Sequence, residues 1–174
     1  MGESLSQSDV TAALALLERV TGGFETTPRR LTAFLEEFCE TICESEPQWV
    51  PVITLPGAEP GRAARNVAAK IARSGGGAQH GWAIWENPGI SVAASYHLVW
   101  RSAAGHLFDV TPAPHEAERI LFLPDPRPAP DPALDPPPLG RVKWLHPELR
   151  ARFRDAASPE AALRELLADR LGGG

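Results

Sequence analysis

Cysteine is scarce in this chain: Cys39 and Cys43 are the only two among 174 residues. No second pair exists to complete a zinc site, so a structural metal centre built on thiols has no footing. Lysine is scarce too. Of 17 basic residues only Lys70 and Lys143 are lysine, and the arginine excess, beside abundant alanine and 18 prolines, reflects a GC-rich coding sequence rather than a function. The formal net charge of −5 gives no footing for nucleic-acid binding, which would want a basic domain. No apolar run approaches the length of a membrane span. The opening MGESLSQSDVTAALALLERV has no basic n-region, and acidic residues interrupt its apolar stretch, so it is not a signal peptide. The expectation is a soluble, cytoplasmic protein with neither membrane nor nucleic acid as partner.

What is present suffices for a sizeable core. With 43% hydrophobic residues, the chain is expected to form one domain over 1–174. Residues 8–21 have the pattern of an amphipathic helix stopped by Gly22-Gly23. A second helix is expected over 28–44, opened by Thr27-Pro28. On it Leu31, Phe34, Leu35, Phe38, Cys39, Ile42 and Cys43 share one face, so both thiols act as small hydrophobes. PQWVPVITLP is extended; residues 61–73 form a third helix that Gly75-Gly76-Gly77 ends. That glycine run has no following Lys-Ser/Thr, so it is a helix stop rather than a phosphate cradle.

Strands are expected at 81–86, 91–101, 106–111 and 119–123. The run 124–140 is too proline-rich for helix or sheet and forms an extended strap. C-terminal helices close the chain within 145–171, near 147–156 and at 159–171. Helices first and an antiparallel meander after them define an α+β fold, with the core at 48–123. Arg141, Lys143, Arg150, Arg152 and Arg154 make a basic run that is expected to be a solvated face.

Two strands carry the candidate chemistry. Alternation in SYHLVWR puts Val92, Ala94, Tyr96, Leu98 and Trp100 on one face and Ser95, His97, Val99 and Arg101 on the other. In HLFDVT, Leu107, Asp109 and Thr111 share a face. Pairing Arg101 with Gly105 would leave a three-residue loop and set His97 directly across from Asp109; a four-residue loop would send the two to opposite faces. If they meet, Asp109 holds the imidazole by one nitrogen and leaves the other for proton transfer.

A helix opening after a glycine, then Gly81-Trp82, then H-x-V-W from His97 and G-x-x-x-D-V-T-P ending at Pro112, resembles the core of the transglutaminase-like superfamily, a branch of the papain-like cysteine enzymes. The resemblance covers residues 61–112 and is most specific from His97 to Pro112. It implies a cysteine at the helix start that attacks an amide, a strand histidine that takes and returns the proton, and an aspartate that orients the histidine. His97 matches the base and Asp109 the orienting acid. Similar sequences read Cys-x-x-Asn-Val where this chain has Ala63-Ala64-Arg65-Asn66-Val67. Ala63 thus holds the nucleophile position, and a natural loss and an engineered knock-out would read alike.

The resemblance implies a scaffold for amidase, peptidase or acyl-transfer chemistry on a peptide or amide-bearing small molecule, inactive for want of the thiol and needing no cofactor. Asn66, Trp82 and Gln48 are candidates to contact substrate, with Trp82 and Trp100 as packing residues near the cleft; Gln48-Trp49 lie where an oxyanion donor is often found. Two other readings stand beside this one: an active cysteine hydrolase whose nucleophile lies elsewhere, and a non-catalytic interaction module in which His97 and Asp109 satisfy each other. A metal set drawn from His80, His97, His106, His115 and Asp109 does not converge, because His106 and Asp109 alternate to opposite faces.

Overall fold

The computed structural model describes residues 25–113, 116–128, 142–157 and, further on, 161, 162, 164, 165 and 168, which are helical. The expected helix at 8–21, most of the strap at 129–140, His115 and the rest of the segment 159–171 lie outside the described residues. The elements in chain order are α1 (Ala33–Glu40), β1 (Gln48–Pro51), α2 (Ala63–Ser74), β2 (Gly77–Asn87), β3 (Ser91–Arg101), β4 (Leu107–Phe108), β5 (Arg119–Pro124), β6 (Val142–Leu145) and α3 (Pro147–Asp155). This is an α+β fold. Contacts divide the described residues into a larger unit, within 25–86 and 92–144, and a smaller one that takes 87–91 and the described residues from Leu145 on.

In the larger unit the strands run in the order β1-β5-β2-β3-β4, with β6 also on β3. The meander β2-β3-β4 is as expected; β5 then returns to the other side of β2 and pairs antiparallel with both β2 and β1. Beyond Phe108 the chain leaves β3. The Asp109 N–H donates to the Pro51 carbonyl at 2.9 Å and the Ile53 N–H donates to the Asp109 carbonyl at 2.7 Å. A parallel bridge between Val52 and Asp109 thereby joins the two ends of the sheet order. The expected strand at 106–111 is therefore only Leu107–Phe108 on β3, because Asp109 gives its backbone bonds to the continuation of β1.

Alternation sorts the side chains. Val92 and Ala94 join Trp82, Leu121 and Leu123 in the cluster that also holds Phe38 and Cys39 of α1. Ala83 and Val99 lie with Val50, Ile120 and Phe122 in a second cluster. Val67 of α2 packs on Trp100 and Val110 in a third.

Helix α1 starts later than Thr27-Pro28 would place it. The Thr27 hydroxyl accepts from the Leu121 N–H and so serves the sheet. Thr32 is the N-cap instead, its hydroxyl accepting from the Leu35 N–H at 3.3 Å. Strand β2 begins at Gly77, four residues before the expected start, and β6 was not expected at all: Val142 and Trp144 are its apolar signal, set in a stretch dominated by proline and basic residues.

In the smaller unit, α3 opens with Pro147 at its first turn and buries Leu149 and Phe153, four residues apart on one face. The His146 N–H donates to the Ile90 carbonyl at 2.8 Å. No helix among the described residues is long and apolar enough to cross a membrane.

Candidate functional site

The β3–β4 hairpin fixes the site. Trp100 pairs with Phe108 and Arg101 with Leu107. The Ser102 N–H donates to the His106 carbonyl and the Gly105 N–H to the Ser102 carbonyl, with Gly105 at φ 87°. The loop thus has three residues, as in the first of the two alternative pairings, but is displaced by one position on each arm. That shift moves the register by two and conserves parity, so His97 and Asp109 face the same side without standing directly opposite. They meet on the diagonal: Nε2 of His97 lies 3.1 Å from Oδ2 of Asp109.

Asp109 is held from several directions. Both its backbone groups bond to the β1 continuation, and Oδ1 accepts from the Thr111 N–H at 2.9 Å. The carboxylate is almost wholly buried, while the His97 side chain keeps 16% of its surface exposed. Nδ1 is the ring nitrogen that Asp109 does not hold. The pair can therefore orient an imidazole and present one nitrogen for proton exchange.

Helix α2 supplies the other wall. Gly61, at φ 71°, turns the chain into it, and Arg62 is its N-cap with no side-chain capping bond. The first N–H groups of the helix have no partner within it, and its positive end lies at Ala63. Ala63, His97 and Asp109 line one cleft of about 440 Å³ in the larger unit. Trp85, Ser95 and Thr111 line it too. Ser95 and Thr111 share the expected faces of His97 and Asp109; Trp85 was recoverable by applying the same alternation to GWAIWE across the hairpin.

The candidate substrate residues lie elsewhere. Asn66 is buried, its amide oxygen accepting from the Glu59 N–H and its Nδ2 donating to the Glu59 carbonyl and to Thr111 Oγ1. Its amide is thus committed to holding the 59–66 loop and Thr111. Trp82 is packed in the α1 cluster and donates from Nε1 to Asp125 Oδ2 at 3.0 Å. Gln48 is exposed at the start of β1 and does not line the cleft. Trp100 donates from Nε1 to the Gly75 carbonyl, tying the far end of α2 to β3.

Neither cysteine borders the cleft. Cys39 is buried on α1, and its thiol is pushed up to about 12 by burial and then by Cys43 and Glu36. Cys43 Sγ donates to the Pro124 carbonyl at 3.5 Å. His80 belongs to β2, with Nε2 2.7 Å from the Arg127 carbonyl oxygen, and His106 is exposed beside the hairpin loop. Among the described residues no three His, Cys, Asp or Glu side chains gather as metal ligands would.

A second polar cluster lies at the end of β5. Asp125 accepts from Arg127 and from the Trp82 indole, and these bonds hold its carboxyl well below the usual carboxylate range. Compared with protein-family models, with curated proteins and with solved structures, the chain matches none of them.

Proposed function

We propose that the cleft is the ligand site of a transglutaminase-like scaffold, descended from a cysteine amidase or acyl transferase, that binds a peptide or amide-bearing molecule without cleaving it. One observation carries this reading: the His97–Asp109 pair and the first residue of α2 open into the same cleft. In the chemistry that such a constellation serves, a thiolate sulfur bonds to the amide carbonyl carbon and the C–N bond breaks. The amine leaves with a proton from the imidazole, and water or a second amine then releases the acyl group. Ala63 has a methyl group where that sulfur would stand, so the first bond cannot form. The positive end of α2 and the imidazole remain to receive a carbonyl group.

Ala63→Cys tests the reading. The introduced thiol should react with iodoacetamide at pH 7 at least about tenfold faster than Cys43 in the same molecule. It should also form an acyl-enzyme with a p-nitrophenyl ester, seen as a mass increment on that residue. An introduced thiol no faster than Cys43, and no acyl adduct, would overturn it.

The interaction-module reading is favoured by one feature, the burial of Asp109 among bonds it already satisfies. The melt of His97→Ala separates the two: little change fits a site, whereas a large loss fits a purely structural pair.

A further inference from the structure

The cleft has a chemically uneven lining. Of its described lining residues only Tyr96, His97 and Asp109 carry ionisable side chains, and the last two are engaged with each other. Among the described residues no lysine, arginine or glutamate lines it. On β3 the inward neighbour of His97 toward the β2–β3 turn is Ser95; on β2, Ala83 and then Trp85 follow in the same direction. The first two are small and leave a slot, and the indole stands beyond them. Ala83 and Trp85 are continuous with the inner apolar cluster of Val50, Val99 and Phe122. Pro60, Pro112 and Ala113 complete an apolar rim.

Resting on the reading of the cleft as an amide site, we infer that its ligand carries an uncharged aromatic or branched aliphatic side chain on the acyl side of the amide. That side chain lodges in the slot over Ser95 and Ala83 against Trp85. A cationic side chain there would lose its hydration without a free carboxylate to receive it, because both oxygens of Asp109 are engaged, Oδ2 with His97 and Oδ1 with the Thr111 N–H. An anionic one would meet the Ser95 hydroxyl, the imidazole and an apolar wall, with no lysine or arginine among the described lining residues to pair with it. A side chain smaller than the slot would leave apolar surface unfilled.

Binding to the wild-type protein tests this, using the N-acetyl amides of Gly, Leu, Phe, Lys and Glu in calorimetric titrations with the His97 ring signals followed by NMR. The Leu and Phe amides should bind at least about tenfold more tightly than the other three and should shift His97. Ser95→Val narrows the slot with a residue suited to a strand, and should abolish the preference for the Phe amide over the Gly amide. If all five amides bind alike and shift His97, or if the Lys or Glu amide binds best, the side-chain inference falls and the amide site stands. If none binds and the thiol of Ala63→Cys is also sluggish, the amide site falls and takes this inference with it.

Discussion

His97 reaches Asp109 diagonally across the β3–β4 hairpin, Nε2 to Oδ2 at 3.1 Å, and the other carboxylate oxygen accepts from the Thr111 N–H. One buried side chain thus serves a strand neighbour and its own turn together. Asp109→Ala leaves the Thr111 N–H without its acceptor and should cost about 2 kcal/mol in urea unfolding. Asp109→Asn keeps that acceptor and should cost less than about 1 kcal/mol. Equal losses would mean that the Thr111 contact contributes nothing.

Cys39 should be chemically silent. Burial pushes its thiol up to about 12, with Cys43 and Glu36 adding to the effect. At pH 8 a maleimide should leave Cys39 unmodified in the native protein and label it readily in urea, as read by peptide mass mapping. Native labelling of Cys39 at a rate near that of free cysteine would contradict the packing of α1.

Periodicity made the backbone of this architecture legible. The period-2 pattern of SYHLVWR gave both faces of β3, and the helical pattern of Leu35, Phe38 and Cys39 gave the buried stripe of α1. Parity brought His97 and Asp109 to one side, although the register itself differs by two. Long-range competition for hydrogen bonds was not legible. Nothing near Thr27 signals that its hydroxyl serves Leu121, and nothing near Asp109 signals that its backbone will pair with Pro51 and Ile53. The commitments of Asn66 and Trp82 were illegible for the same reason: a polar group looks available until its distant partners, Thr111 and Asp125, are known.

Gly81 has a steric reason to be glycine. A Cβ there would press on the Leu123 carbonyl oxygen and lie 2.6 Å from Phe122 Cζ, between the paired strands β2 and β5. Gly81→Ala should cost about 2 kcal/mol, because backbone cannot yield as a side-chain tip can. A melting temperature within a degree of wild type would show that the two strands part without penalty.

Asp125 gives the fold an acid-sensitive point. Hydrogen bonds from Arg127, opposed by burial and aided by the Trp82 indole, depress its carboxyl in the folded chain. The unfolded chain takes up that proton near pH about 3.9. The charged carboxylate therefore stabilises the fold fully above about pH 5, and that contribution fades as the pH falls toward the folded value. The stability difference between wild type and Asp125→Asn should be largest at pH 7 and shrink below about pH 4. A difference independent of pH would remove Asp125 as the cause.

Asn66 and Thr111 join the start of α2 to the strand segment that carries Asp109. Nδ2 of Asn66 donates to Thr111 Oγ1 at 3.2 Å and to the Glu59 carbonyl at 2.8 Å, while Oδ1 accepts from the Glu59 N–H at 3.1 Å. Asn66→Ala removes all three bonds from a buried position and should cost about 2 kcal/mol. Thr111→Val removes only the shared one and should cost about 1 kcal/mol, whereas Thr111→Ser keeps the hydroxyl and should cost less. Since one bond is common to both residues, the double variant should lose about 1 kcal/mol less than the sum of the single losses. Additivity within about 0.3 kcal/mol would mean that the two side chains act independently and that the helix start is anchored by the Glu59 contacts alone.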